Sequence, residues 1–456
     1  MTDTVCAREF VDLENGLISR EIFIDAAIYQ RELEQIFARA WLFVGHESQI
    51  PNPGDFALSR MGEESVILTR NIQGGIHVLL NTCRHRGMMV CRYDQGNTKT
   101  FYCPFHGWAY SVDGSLVDTP GGLLGVPHYE SAYHGKLDKS QWGLIHARTY
   151  NYKGAIFGTW DESAPRFLDY VGDMKLWLDE LFDYRDGRAA GAEVLCGIQK
   201  WRIPCNWKFI AENFTGDMYH NTSHVSADHA KIGPIASGGD RHGFKADYMQ
   251  KRKLLSFPAL GHGVRGCLTD YDMPLPQYGD PAVDEYFRQV WEKRRKNFEG
   301  KKFAGGNGGN VFPNMAFHCG FPRTIGMAHP SGPMETEMWR WYLVDRDAPQ
   351  EVKNTLRRHF LRYSGPAGMT EQDDMENWTM AAAASKGVIA RRYPYNYQQG
   401  MGFVETAQGL RGAVATDGFI NEENIRSFYR RWTELMDAKE WPDAVPQEKE
   451  AGTSGD

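Results

Sequence analysis

Two short pairs of metal-ligating residues, Cys83-Arg84-His85 and Cys103-Pro104-Phe105-His106, stand 17 residues apart and carry the most specific chemistry in the chain. Each pair supplies one sulfur and one nitrogen. A zinc finger keeps its cysteines on one arm and its histidines on the other, whereas here both arms are mixed. Mixed arms suit a [2Fe-2S] cluster held between two loops, with Cys83 and Cys103 on one iron and His85 and His106 on the other. Replacing two thiolates by neutral imidazoles removes negative charge and raises the reduction potential. Arg86-Gly87 and Gly107-Trp108 follow the two arms directly. Glycine there lets the backbone come close and aim N–H groups at the sulfurs. A zinc staple holding a small β unit is the competing reading of the same four residues. Cys91 has no histidine at matching spacing and reads as a buried thiol.

A second constellation lies in the stretch from Asn206 to His224. Read as helical over 207–224, it places Asp217, His220 and His224 at i, i+3 and i+7 on one face. Two imidazoles at i, i+4 can converge on one metal. With a carboxylate they form the facial triad of a non-haem Fe(II) oxygenase, which leaves positions open for dioxygen and substrate. Asp217, three residues before His220, is placed to accept that histidine's other ring N–H rather than to ligate. The third ligand then comes from elsewhere. The strongest candidate is the run Glu371-Gln372-Asp373-Asp374-Met375-Glu376-Asn377-Trp378, which follows the turn Gly365-Pro366-Ala367-Gly368 and opens a helix ending near Gly387. Compensation of a helix dipole is the alternative role for such a cluster.

The elements that must position these residues change character along the chain. Ile28, Leu33, Ile36, Phe37, Ala40 and Trp41 recur at helical spacing behind Asp25 as a cap, which predicts a helix over 25–41. Short alternating runs then predict strands at 55–60, 65–69, 77–81, 100–102 and 108–111, a small all-β unit. Beyond about residue 155, helical patterns mix with strands such as Met338 to Val344. Ile425, Phe428, Tyr429, Trp432, Leu435 and Met436 trace one stripe of a final helix behind Asn421. Gly305-Gly306-Asn307-Gly308-Gly309 lacks the strand before and helix after that a dinucleotide loop needs, and reads as a flexible loop. No nicotinamide or flavin site is evident, so electrons must come from outside.

At 456 residues the chain is long enough for two packed domains or one inserted in another. Hydrophobic content of 42%, aromatic 13% and charged 24% is that of an ordinary globular protein. A formal charge of -7 offers no basic field for nucleic acid. No apolar run of about 18 residues and no signal-like start predict a cytoplasmic protein with no membrane partner. Eight cysteines are too sparse for a disulfide scaffold in so long a chain.

Taken in order, the Cys-x-His and Cys-x2-His arms, Asn206-Trp207-Lys208, Glu212-Asn213-Phe214, Asp217-x2-His220 and Glu371-x-Asp373-Asp374 resemble the large (α) subunit of Rieske non-haem iron ring-hydroxylating dioxygenases. The resemblance runs from the helix near residue 25 and His46-Glu47-Ser48-Gln49-Ile50-Pro51 to the final helix, and is closest to the biphenyl, phenylpropionate, naphthalene and benzoate dioxygenases. It implies an α+β fold, in which an all-β Rieske [2Fe-2S] domain is inserted in a catalytic domain whose antiparallel sheet is wrapped by helices. The expected boundaries are 1–40 for an N-terminal helical part of the catalytic domain, 41–155 for the Rieske domain and 156–456 for the mononuclear iron domain. On matching positions, His220, His224 and Asp374 would bind mononuclear Fe(II), and Asp217 would link His220 to His106 of a neighbouring α subunit. Asn213 would sit near the iron and Phe214 on the pocket wall.

The same resemblance implies a trimer of α subunits, often with three small β subunits, fed with electrons from NAD(P)H by a ferredoxin or a reductase. The expected reaction adds both atoms of O2 to an aromatic ring, giving a cis-dihydrodiol. The three residues between His220 and His224 are fewer than the family's usual four or five, which makes His229 the second candidate ligand. Ser364 and Thr370 stand where naphthalene-type members carry bulky aromatics, and would widen the pocket or bind a polar substituent. A Rieske monooxygenase or demethylase uses the same centres; from another class, an electron carrier or zinc-stapled binding protein would leave the second domain inert.

Overall fold

The computed structural model describes residues 6–117, 125–217, 219–230, 232, 253–269, 278–305 and 308–442. The chain forms two compact units, one of residues 37–162 and one of residues 1–36 with 163–456. Among the described residues no helix is long and apolar enough to cross a membrane.

The smaller unit is built from antiparallel strands. Its strands are β1 (Leu42–His46), β2 (Asp55–Met61), β3 (Glu64–Arg70), β4 (Ile76–Leu80), β5 (Gln95–Asn97), β6 (Thr100–Tyr102), β7 (Ala109–Ser111), β8 (Arg148–Tyr152) and β9 (Ala155–Thr159). They form a four-stranded sheet in the order β4-β3-β2-β5, a three-stranded sheet β8-β9-β1 and the hairpin β6-β7. The alternating runs of the sequence fall on β2, β3, β4, β6 and β7. Phe56, Ile67, Leu79, Phe101, Tyr110 and Leu144 make the core, and Cys83, Cys103 and Trp108 are buried with them. β9 pairs with β1. That pairing carries the unit to residue 162, beyond the boundary expected at 155, while Phe37 joins it ahead of the one expected at 41.

In the larger unit the strands are β10 (Ala192–Val194), β11 (Gln199–Ile203), β12 (Leu255–Phe257), β13 (His262–Val264), β14 (Gly309–Val311), β15 (Met315–His318), β16 (Thr324–Pro330), β17 (Thr336–Asp345), β18 (Val404–Thr406) and β19 (Val414–Thr416). They make one antiparallel sheet in the order β10-β17-β16-β15-β14-β13-β12-β19-β18, with β11 also on β17. Gly309 opens β14, so part of the glycine run expected to be a loop is a core strand; Gly306 and Asn307 lie outside the described residues. A Cβ at Gly309 would stand 2.3 Å from the Gly263 carbonyl of the neighbouring strand. β17 is buried almost throughout, on both faces.

Helices cover both faces: α1 (Ala26–Glu32), α2 (Trp207–Gly216), α3 (Pro281–Asn297), α4 (Gln350–Tyr363), α5 (Met369–Ser385) and α6 (Glu423–Asp437). Val283 and Phe287 of α3 with Val352, Leu356 and Phe360 of α4 pack on Tyr342 and Val344 of β17. α2 and α6 pack on each other and on the strands around β13. Asp25 caps α1 by accepting the N–H groups of Ala27 and Ile28. α1 is shorter than its apolar spacing predicts, because Leu33–Phe37 widens into a π turn before the fully buried β1 begins at Leu42. Asn421 accepts the Glu423 N–H at the start of α6, the capping contact expected of it.

One buried carboxylate joins three of these elements. Glu32 at the end of α1 accepts Lys208 Nζ at 2.5 Å and Trp432 Nε1 at 2.7 Å on one oxygen, and Trp207 Nε1 at 2.8 Å on the other. Glu32, Trp207, Lys208 and Trp432 are fully buried. Burial pulls Lys208 below its usual range, and Glu32 pulls it back up. Removing one partner of such a pair leaves an uncompensated buried charge, so Glu32→Ala is expected to cost about 3–5 kcal/mol of unfolding free energy. Chemical denaturation of the two proteins checks this, and a loss of only a few tenths would show the cluster to be dispensable.

Candidate metal centres

The first arm lies between β4 and β5, and the second is the turn of the β6-β7 hairpin. The two arms repeat one hydrogen-bonding pattern. Cys83 N–H donates to the Met88 carbonyl (2.8 Å) and Gly87 N–H to the Cys83 carbonyl (2.9 Å); Cys103 N–H donates to Trp108 (2.8 Å) and Gly107 N–H to Cys103 (3.0 Å). Gly87 and Gly107 take φ of +76° and +79°, a conformation that costs other residues about 1 kcal/mol or more. A Cβ at Gly107 would also stand 2.7 Å from Pro127.

The arms bring their four ligand candidates together. Cys83 and Cys103 are buried, and the His85 and His106 rings lie 4.6 Å apart. His85 stacks on Trp108, with ring planes 8° apart, and its buried Nδ1 has no hydrogen-bond partner. Burial pushes the Cys103 thiol up, against the backbone N–H groups of Phe105 and His106, which act on the sulfur. The Tyr110 hydroxyl lies 3.3 Å from Cys83 Sγ and accepts the Arg84 N–H at 3.0 Å. Two paired thiols beside two paired imidazoles, with N–H groups directed at sulfur, match the donor set of a mixed-ligand [2Fe-2S] cluster.

The second site departs from the expected helix. α2 stops at Gly216, Asp217 is extended, and His220–His224 forms a separate 3-10 turn. A Cβ at Gly216 would stand 2.5 Å from Asn424 of α6, so the last residue of α2 has room for glycine alone where α6 packs against it. Asp217, just past the helix, brings its carboxylate to within 3.1 Å of His220 Nδ1.

His220, His224 and Asp374 form the group able to hold a metal ion among the described residues. The two Nε2 atoms are 3.1 Å apart, and Asp374 Oδ1 lies 3.4 Å from the first and 3.3 Å from the second. Bonds of roughly 2.1 Å at right angles place neighbouring ligands about 3 Å apart, so these atoms have the spacing of a facial triad. Asp374 Oδ1 is buried without a hydrogen bond. Burial opposes charge on His220, yet Asp217 and then Asp374 push it up to about 10; the same negative field that would draw a metal cation holds a proton. Burial also raises Asp374, but His220, His224 and Arg265 hold it below its usual range. His229, the second candidate, is exposed at the end of the short helix Val225–His229.

The acidic run divides its tasks. Glu371 is buried; both its oxygens accept Arg340 Nη2 of β17 at 2.6 Å, and one also accepts the Gly365 N–H at 3.4 Å, which anchors the first turn of α5 to the sheet. Asp373 lies 3.3 Å from His224 Nδ1 and accepts Ser226 Oγ at 2.8 Å. Asp374 completes the triad. Sequence reasoning had no signal for Asp373, because its histidine comes close only in the fold.

The pocket candidates separate. Asn213 joins Glu212, Asp217, His220 and Tyr397 around a cavity of about 440 Å3. Phe214 does not line it; its ring is 5.4 Å from that of His318, and the guanidinium carbons of Arg265 and Arg340 lie 5.4 Å and 5.7 Å from its centroid. Ser364 and Thr370 depart from the expected pocket role: Ser364 Oγ lies 3.5 Å from the Tyr342 hydroxyl, and Thr370 Oγ1 donates to the Tyr363 carbonyl at 2.5 Å. Both hydroxyls are engaged in closing the α4-α5 connection. Arg265 and His318 were not legible in the sequence, since neither belongs to a motif.

Comparison with known proteins gives consistent results. Residues 40–128 match the family described as Rieske [2Fe-2S] domain, and residues 181–438 match ring hydroxylating alpha subunit (catalytic domain). The chain is 39% identical to biphenyl 2,3-dioxygenase subunit alpha of Rhodococcus jostii, over 95% of this chain and 92% of that protein. It is 38% identical to benzene 1,2-dioxygenase subunit alpha of Pseudomonas putida, over 94% and 93%. The structure superposes on naphthalene 1,2-dioxygenase from a Rhodococcus species, bound to indole, with a TM-score of 0.78, 32% identity and coverage of 95% and 98%.

Two outcomes follow from this geometry. Asp373→Ala removes the support behind His224 and is expected to weaken iron retention about 10–100-fold while leaving acid-labile sulfide unchanged. Metal analysis after dialysis against a chelator checks it; equal iron in both proteins would show that Asp373 does not support the site. Burial first, opposed by Tyr429 and Tyr397, raises Glu212 to about 8. A carboxyl raised by folding adds stability at low pH that is lost as pH rises through its folded value. Glu212→Gln should therefore flatten the fall in melting temperature between about pH 4.5 and 8, and parallel curves for the two proteins would rule this out.

Proposed function

The chain belongs to the α subunits of Rieske-type aromatic ring-hydroxylating oxygenases, and on that premise we propose that it is the terminal oxygenase of a multicomponent dioxygenase. Its family carries a Rieske [2Fe-2S] cluster and a mononuclear iron. In this reading the enzyme adds both atoms of O2 to an aromatic ring, giving a cis-dihydrodiol, with electrons from NAD(P)H through a reductase and a ferredoxin. Its assembly is a trimer of this chain, with or without small β subunits. The observation that carries the reading is the His220–His224–Asp374 group at cis-ligand spacing, with His224 and Asp374 buried and a further carboxylate beside each histidine.

Cys83, His85, Cys103 and His106 would hold the cluster, and His220, His224 and Asp374 the mononuclear iron. When bound, the cluster passes single electrons and the iron activates dioxygen towards the ring. The chain's own side chains do the rest. Asp217, 3.1 Å from Nδ1, would orient the His220 ring and leave Nε2 to face the metal. Asp373 would do the same for His224. By the resemblance to its family, Asp217 would also couple His220 to His106 of a neighbouring α subunit, which would make it the positioning residue of the electron path. The Arg340–Glu371 pair holds α5, and so Asp374, at its distance from the histidines. Asn213 lines the cavity on the Asp217 side of His220, and the buried Phe214 ring would offer an apolar surface beside Arg265 and His318.

Asp217→Asn is the discriminating variant. Iron and sulfide contents should match the parent protein, while reoxidation of the reduced cluster by O2 with an aromatic present slows about 10–100-fold. Unchanged reoxidation would remove Asp217 from the electron path. Product formed under 18O2 should carry two labelled oxygens on adjacent ring carbons; a single hydroxyl or a dealkylated product would make the enzyme a monooxygenase.

A further inference from the structure

Six arginines are buried among the described residues: Arg265, Arg294, Arg323, Arg340, Arg426 and Arg431. Five have a carboxylate: Arg294 has Glu180 (2.6 Å), Arg323 has Asp345 (2.8 Å), Arg340 has Glu371 (2.6 Å), Arg426 has Glu423 (3.0 Å) and Arg431 has Glu434 (3.3 Å). Arg265 has none within salt-bridge reach among the described residues. It directly follows β13, where its backbone N–H donates to the Gly308 carbonyl at 2.8 Å. Its side chain meets His318 Nε2 through Nη2 at 2.5 Å, and its buried Nε has no hydrogen-bond partner.

Such an arrangement is costly unless something else answers the charge, because a buried guanidinium needs both an opposite charge and acceptors for its N–H groups. Asp374 and Asp217 act on Arg265 only from a distance. If Asp374 ligates iron, the metal's own positive charge draws on the same carboxylate, and the demand at Arg265 grows. The guanidinium also lies beside the triad and an aromatic ring. It lies over the Phe214 ring, beside the His318 ring, and within the electrostatic reach of the triad. Nε and the second hydrogen of Nη2 form the side-on edge of the guanidinium fork, which fits the two oxygens of a carboxylate.

We propose that Arg265 is the specificity-determining residue of the site and that the enzyme's substrates are aromatic carboxylates, the ring lying against Phe214 and the carboxylate taking the Nε–Nη2 edge of Arg265. This deepens the oxygenase reading and rests on it. The idea assigns the unpaired cation a partner that arrives with the substrate, and His318, as the acceptor from Nη2, holds the fork in place.

The test uses the iron-loaded protein and four probes: benzoate and 2-naphthoate, with toluene and naphthalene as neutral counterparts. Isothermal titration should show at least one carboxylate binding about tenfold or more tightly than its neutral counterpart, the worth of one charged hydrogen-bonded contact. Arg265→Met should abolish that preference by weakening the carboxylate alone, and Arg265→Lys should restore part of it. Neutral rings binding as tightly as the acids to the parent protein would overturn the proposal, a comparison that needs no variant to fold. Equal carboxylate affinity in parent and Arg265→Met would overturn it too. Oxygen uptake by the reduced protein separates the two levels. Uptake with toluene or naphthalene and not with the acids overturns the substrate class alone, whereas no uptake with any of the four also removes the oxygenase reading beneath it.

Discussion

The Glu32 carboxylate is the contact on which the larger unit turns. It takes three donors from residues that are distant in sequence, and each donor belongs to a helix end or helix face that could not be placed by apolar packing alone. Apolar contact is non-directional and tolerates sliding; a carboxylate with three fixed N–H partners does not. Lys208 and Trp207 sit in the first turn of α2, so the cluster sets where that helix begins. Nine residues later the same helix delivers Asp217. A buried charged group thus sets the axial position of the element that leads into the metal site, and the cost of burying it is offset by complete hydrogen bonding.

From α2 outward, position is passed on by carboxylates in pairs with specific partners. Glu371 holds α5 to the sheet through Arg340, which brings Asp373 and Asp374 to the histidines from a second direction. The two histidines lie in one short turn and would be loose if only their backbone held them. Asp217 and Asp373 each fix one ring, so the Nε2 atoms face each other at a separation that only a shared cation or proton makes favourable. Burial gives this arrangement its force, since charges removed from water interact far more strongly than on the surface.

The smaller unit solves the same problem with backbone instead of side chains. Two loops of unrelated sequence context adopt the same turn, each closed by its own cysteine N–H and by a glycine with positive φ. The repeated turn directs N–H groups inward, where they can bond to sulfur, and a stacked Trp108 keeps the His85 ring upright. Tyr110 adds a hydroxyl at Cys83 from the β7 strand that follows the second loop. Hydrogen bonds to cluster sulfurs favour the reduced, more negative state, which suits a centre that must accept electrons readily.

Much of this was legible in the amino-acid sequence, because ligand chemistry is written in residue type and short spacing. The Cys-x-His and Cys-x2-His arms, the His220 and His224 pair, and the strands of the small unit all depend on contacts within one turn or one hairpin, where local geometry leaves few alternatives. That Asp217 comes close to His220 was readable for the same reason, three residues from its histidine. The end of α2 at Gly216 was not, nor the need for glycine there, which comes from a close approach by Asn424, some two hundred residues away in sequence. Nor could spacing reveal that Glu32 meets Lys208 and Trp432, that Asp373 stands behind His224, that Thr370 uses its hydroxyl on a backbone carbonyl, or that, among the described residues, Arg265 is the buried arginine without a carboxylate. Composition and periodicity report what a residue can do and which face it occupies. Which partner satisfies a buried polar group is decided only when distant segments meet, because the desolvation that makes the pairing necessary exists only in the packed interior.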